Sequence, residues 1–143
     1  MAPLLMQPTT DQAFVLFIYL LIINTAYFCV SIKKNWDELK TMGEKVRGKI
    51  VFFNRPMNAT YLSTGRAYGE AVDQRGRGAV EAAKYGAVAA VVRSVTLTLD
   101  DKPHTGAMHY NDSIQKIPAC AISTVDANWL SAQLKTEPNL KFT

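Results

Sequence analysis

Ala79-Val80-Glu81-Ala82-Ala83-Lys84-Tyr85-Gly86-Ala87-Val88-Ala89-Ala90-Val91-Val92-Arg93 is the stretch that decides the fold. Its first seven residues are alanine-rich and otherwise strong helix formers. Gly86 stands where a left-handed C-cap belongs. The six residues after it, 87–92, are apolar without interruption, the length of a strand rather than a helix. Helix, glycine and continuous apolar run together predict an α-to-β step, with the strand covered on both faces. The small side chains at Ala79, Ala82 and Ala83 allow that helix to lie close to the sheet.

The neighbouring segments extend the same pattern. Residues 94–116 form a long polar connection, and Ile117-Pro118-Ala119-Cys120-Ala121-Ile122 gives another strand, with proline near its start where it is tolerated. Ser123-Thr124-Val125-Asp126 is a helix N-terminus of the Ser-x-x-acid kind, and Pro138 closes the helix it opens. Upstream, residues 35–42 read as a short helix ended by Gly43. Lys49-Ile50-Val51-Phe52-Phe53 reads as a strand stopped by Asn54 and Pro56. Residues 57–70 have no clear period and read as a loop. The expected architecture has strands near 49–53, 87–93 and 117–122 in one sheet, with helices near 77–85 and 124–134 packed on it.

A sharp boundary lies at Lys33-Lys34. The run that begins at Ala13 and ends at Ile32 (AFVLFIYLLIINTAYFCVSI) carries no formal charge and is long enough to span a bilayer as a helix. The flanks do not suit a secretory leader, because no Lys or Arg precedes the run and Asp11 does. Lysines after the run would leave the downstream part of an anchored chain in the cytoplasm. Asn24-Thr25 also divides the stretch, so 14–23 and 27–32 could be two buried strands instead. Both readings stand on the sequence alone. Residues 1–32 are accordingly set apart as a hydrophobic leader or membrane segment, and 33–143 as the folded domain.

The chain has 143 residues, 48% of them apolar and 20% charged, which suits one globular domain and excludes a large multidomain enzyme. Its net charge is +4. Six of the basic residues lie between Lys33 and Lys49, interleaved with Asp37, Glu38 and Glu44, and the rest are scattered. Nucleic-acid binding concentrates its positive charge on one face, so no nucleic-acid partner is expected. Cys29 and Cys120 permit one intramolecular bridge at most and lack the close spacing of a zinc ribbon or a redox motif. Cys120, inside an apolar run, reads as a small buried hydrophobe.

No catalytic constellation emerges. His104 and His109 are five apart, neither a zincin pair nor a zinc-finger pair, and no carboxylate cluster accompanies them. Gly-x-Ser-x-Gly is absent. Gly76 and Gly78 precede a helix without the Gly-Lys-Ser/Thr of a phosphate loop. The triplets Asn58-Ala59-Thr60 and Asn111-Asp112-Ser113 matter only on a glycosylating route. Neither catalytic nor metal residues are assigned, and a small hydrolase built on His104 or His109 is the weakest of the functional readings.

Gln74-Arg75-Gly76-Arg77-Gly78-Ala79-Val80-Glu81-Ala82-Ala83-Lys84-Tyr85-Gly86-Ala87, continuing to Val91-Val92-Arg93-Ser94-Val95, resembles the protease-associated (PA) domain inserted in zinc peptidases of the carboxypeptidase Q type. The likeness runs on through Pro103-His104-Thr105-Gly106, Tyr110, Lys116-Ile117-Pro118, Ile122 and Asp126-Ala127. It includes, upstream, Asp37-Glu38-Leu39, Val46-Arg47-Gly48-Lys49-Ile50-Val51 and Asn54-x-Pro56. Residues 1–29 have no counterpart in it, and the chain stops as a last strand begins, which suggests a fragment or a divergent free-standing protein.

The resemblance implies an α/β fold: a curved, partly closed β-sandwich flanked by helices. It implies a non-catalytic module shaping substrate access and protein contacts in a secreted or cell-envelope peptidase, with zinc held elsewhere, in the catalytic domain. The implied partners are that domain or a peptide or protein substrate. The alternative is a membrane-anchored interaction or sorting protein, touching the bilayer through the run from Ala13 to Ile32. The long connection is the candidate interaction or substrate-access loop, with Arg93, Ser94, Pro103, His104, Thr105, Gly106 and Tyr110 as its candidate residues. Arg93 has two roles open to it: steering a carboxylate with its fork of donors, or bracing the loop against Asp100, Asp101 or a backbone carbonyl.

Overall fold

The computed structural model of the chain describes residues 27–32, 35–138 and 140–142. In chain order its strands are β1 (Tyr27–Ile32), β2 (Ile50–Phe53), β3 (Ala89–Arg93), β4 (Ala119–Ile122) and β5 (Lys141–Phe142). The helices are α1 (Trp36–Met42), α2 (Thr64–Ala71), α3 (Asp73–Ala83) and α4 (Thr124–Thr136), with a 3-10 turn at Gly43–Val46. The strands make one sheet in the order β4-β3-β2-β1-β5. The first four are parallel, and β5 pairs antiparallel with β1 through Tyr27↔Phe142 and Phe28↔Lys141.

Parallel neighbours need crossover connections, and these put layers on both faces of the sheet. On one face Ile32, Val51, Phe53, Ala90 and Val92 pack with Leu39 of α1 and with Ala79 and Ala82 of α3. On the other, Cys29, Ile50 and Phe52 pack under Ala127 and Leu130 of α4. All four residues of β2 are buried, so it serves both cores. The mixed α/β class holds, but the described residues form a single covered sheet and not the two-sheet sandwich expected. Helices α1 and α3 cover one face of that sheet, and α4 lies on the other.

Local signals explain most boundaries. Asn35 caps α1 by accepting from the amides of Asp37 and Glu38, and Gly43 ends it with φ +48°. Gly86 takes φ +75° after α3, and Ser123 caps α4 by accepting from Asp126 N. Two expectations need correction. Within 57–70, read as a loop, Ser63 caps a helix whose Ala67 and Ala71 lie against Met57 and Val95. Helix α3 begins at Asp73, earlier than 77, and takes Gln74 and Arg75 into the interior.

Strand β3 is also not covered equally on its two sides. Ala90 and Val92 are buried, whereas Ala89, Val91 and Arg93 are only half-buried. A single helix, α4, covers that face and lies toward β1.

The hydrophobic run divides. Its end, Tyr27–Ile32, is a strand bonded to β2 and β5, with Cys29 and Ile32 buried. Residues 27–32 are therefore part of the same sheet as the residues that follow Lys34. Residues 13–26 lie outside the described residues. Among the described residues no helix is long and apolar enough to cross a membrane.

Candidate functional site

The connection from β3 to β4 has no regular structure, yet it is tied down at several points. Ser94, buried beyond the end of β3, donates through Oγ to Ile122 O at 2.7 Å and accepts from His104 N at 2.8 Å. That hydroxyl joins β4 to the Pro103–Gly106 turn. The His104 ring lies 3.0 Å from Asp100 Oδ2. Asp100 is itself fastened to the start of α4: its amide donates to Thr124 Oγ1 at 2.9 Å, and its carbonyl accepts from Val125 N at 3.2 Å. The hydrogen bond from His104 holds the Asp100 carboxyl below the usual aspartate range.

Tyr110 sits on the α3 side of the sheet and donates to Ile117 O; burial pushes its phenol pKa up. Gly106 and Thr105 are exposed, and Gly106 rests on the guanidinium of Arg75. Thus Ser94, His104 and the 103–106 turn come together. Tyr110 is separate from them, and Arg93 lies on the opposite face of the sheet from Tyr110.

Arg93 is braced by other partners than Asp100, Asp101 or a backbone carbonyl. Its Nη1 donates to Asn128 Oδ1 of α4 at 2.7 Å and to Asn54 Oδ1, just past β2, at 3.3 Å. Burial lowers its pKa, and its Nε is enclosed without a hydrogen-bond partner. Both acceptors are neutral amides, which orient the guanidinium without neutralising it. Asp100, one of the two acids just ahead of the turn, is taken by His104.

Arg75 was not visible as a special residue in the sequence. It is only 8% exposed, with Nη2 on the Tyr68 hydroxyl and its guanidinium 5.6 Å from that ring's centroid. An arginine in the first turn of a polar helix reads as solvated, so no periodicity marks it. Asn54 and Asn128 lie 39 and 35 residues from Arg93, so no local pattern links them to it.

The described residues do not fit a zinc site. No group of three His, Cys, Asp or Glu among them could hold a metal ion. His104 is engaged with Asp100, and His109 is exposed, its amide bonded to Gly76 O. Both cysteines are free, and burial pushes their thiols up to about 12 at Cys29 and about 11 at Cys120. Strands β2 and β3 lie between them. Three strand spacings, roughly 14 Å, exceed disulfide reach.

No protein-family model matches the chain. It is 42% identical over 102 residues to carboxypeptidase Q of Xenopus laevis and 40% identical over the same length to that of Homo sapiens. Each match covers 71% of this chain and 20% of the relative. The crystal structure of a peptidase M28 precursor from Shewanella amazonensis superposes with a TM-score of 0.71 at 32% identity, covering 81% of this chain and 25% of that one. The chain spans about a fifth of the length of the curated relatives it matches, and it is homologous to that part of carboxypeptidase Q.

Proposed function

We propose that the chain is a non-catalytic module of the PA type, working through contacts between its 93–110 segment and a peptidase body or a peptide substrate. The observation that carries this reading is the confinement of the homology: 102 residues matching a fifth of carboxypeptidase Q, in a unit with apolar cores on both faces of its own sheet. The turn Pro103-His104-Thr105-Gly106 belongs to the resemblance and is the best-braced part of the long connection. In this reading zinc belongs to the remainder of a carboxypeptidase Q-like enzyme, in a secreted or cell-envelope setting, and this chain supplies none of its ligands.

The test is a chimera. Human carboxypeptidase Q carrying this chain's matched 102 residues in place of its own is expected to keep peptidase activity, and deletion of the segment to abolish it. The purified chain with added zinc is expected to hydrolyse none of the peptides the parent cleaves. Metal-dependent hydrolysis by the isolated chain would overturn the reading.

A further inference from the structure

The sequence contains six arginines, and the structure sorts them by partner. Arg47, Arg55, Arg66 and Arg77 pair with Glu44, Asp73, Glu70 and Glu81. Arg75 is enclosed beneath Gly106. Arg93 alone is half-buried, held in place by two amide oxygens, and without a carboxylate partner among the described residues. Fixing a long cationic side chain without a counter-charge costs desolvation that neutral acceptors return only in part. The arrangement leaves a guanidinium already oriented for a carboxylate brought from outside.

The surface beside it is apolar. Val125 and Trp129 stand one turn apart on α4, on the side of Asn128, and are 44% and 58% exposed. Leu97 and Leu99, 48% and 67% exposed, are carried against the start of the same helix. There Thr124 Oγ1 donates to Thr98 O at 3.0 Å, and Val125 N donates to Asp100 O. Nothing in the core uses these four side chains. Tryptophan and arginine are two of the residue types in which interface hot spots are enriched, and here they lie at one apolar patch. Two acids of the flanking segments are already engaged: Asp126 accepts from Ser123 Oγ, and Asp100 is bonded to His104.

We infer that Leu97, Leu99, Val125 and Trp129, with Arg93 at their edge, form a docking surface for a partner-protein segment that carries a Glu or Asp beside a large apolar side chain. The apolar residue lies on Trp129 and Val125. The carboxylate bonds the guanidinium of Arg93, already aligned by Asn54 and Asn128. This surface is a property of the chain itself and stands whether or not the chain works within a peptidase.

The experiment is an amide and indole NMR titration of the full chain with two peptides, acetyl-Leu-Glu-Leu-amide and acetyl-Leu-Gln-Leu-amide. The Glu peptide is expected to shift the Trp129 indole and Arg93 Nε–H signals together and to bind about tenfold more tightly than the Gln peptide. Trp129→Ala weakens both peptides. Arg93→Gln, or Asn128→Asp, which supplies an internal counter-charge without removing the arginine, erases the preference for Glu. Equal binding of both peptides, or shifts at neither residue, overturns the proposal. So does a Glu preference that survives in folded Asn128→Asp, or a concentration-dependent dimer that protects Trp129. Failure of the chimera would leave these results untouched, so the two readings fail separately.

Discussion

Gly106 lies directly over the guanidinium of Arg75: a β-carbon at position 106 would come within 2.6 Å of Arg75 Cζ and 2.8 Å of its Nε. Arg75 is enclosed and cannot swing aside cheaply. Gly106→Ala is therefore expected to lower stability by about 1–3 kcal/mol through overpacking. Chemical denaturation checks this. Adding Arg75→Ala should return part of the loss, because the two residues are in contact and their effects are not additive.

Gly69 and Gly76 provide the opposite case. Both lie inside helices, and a β-carbon at either would meet nothing within 4 Å. Gly69→Ala and Gly76→Ala should each raise stability by roughly 0.5–1 kcal/mol by restricting the unfolded chain and suiting the helix. A melting temperature that fell in either variant would contradict the geometry.

Ser94 joins the turn to β4 with one hydroxyl. Ser94→Ala leaves the His104 amide without its acceptor and the Ile122 carbonyl without this donor, at a cost of about 1–3 kcal/mol. Amide hydrogen exchange should quicken at His104 before it quickens in β2.

The Asp100–His104 contact gives the loop a pH response with a definite sign. The Asp100 pKa is lower in the folded chain, chiefly through the His104 hydrogen bond. Its contribution is therefore complete above the ordinary aspartate value of 3.8 and disappears as pH falls through the lowered value. The Asp100–His104 contact, followed by the His104 ring signals, should loosen in that acid range, while the main-chain bonds of Asp100 to α4 remain. Asp100→Asn should flatten the profile. A loosening confined to neutral pH would contradict the assignment.

How much of this was legible follows from which forces leave a periodic trace. Residues 79–93 announced helix, glycine and strand because propensity, capping and an uninterrupted apolar run all agree there. Helix α2 was hidden because its buried face is only Ala67 and Ala71, and alanine in a Gly-containing polar stretch gives no apolar stripe. The β1 strand was obscured by lying at the end of a longer apolar run, since continuous hydrophobicity does not distinguish a buried strand from a spanning helix. Within the candidate site, the resemblance pointed to the 103–106 turn. Arg75 beneath Gly106, and Asn54 and Asn128 on Arg93, come from distant segments and leave no local pattern.

The antiparallel pairing of β5 with β1 has a further consequence for how such a unit is carried. Tyr27 and Phe142 are register partners across that pair. The path therefore enters and leaves the sheet at adjacent points, about 5 Å apart. A unit with adjoining entrance and exit can replace a surface loop of a host chain without prying the host's strands or helices apart, at little cost in loop-closure entropy. Grafting residues 27–142 into an exposed host loop should thus leave both partners folded, each melting close to its own temperature.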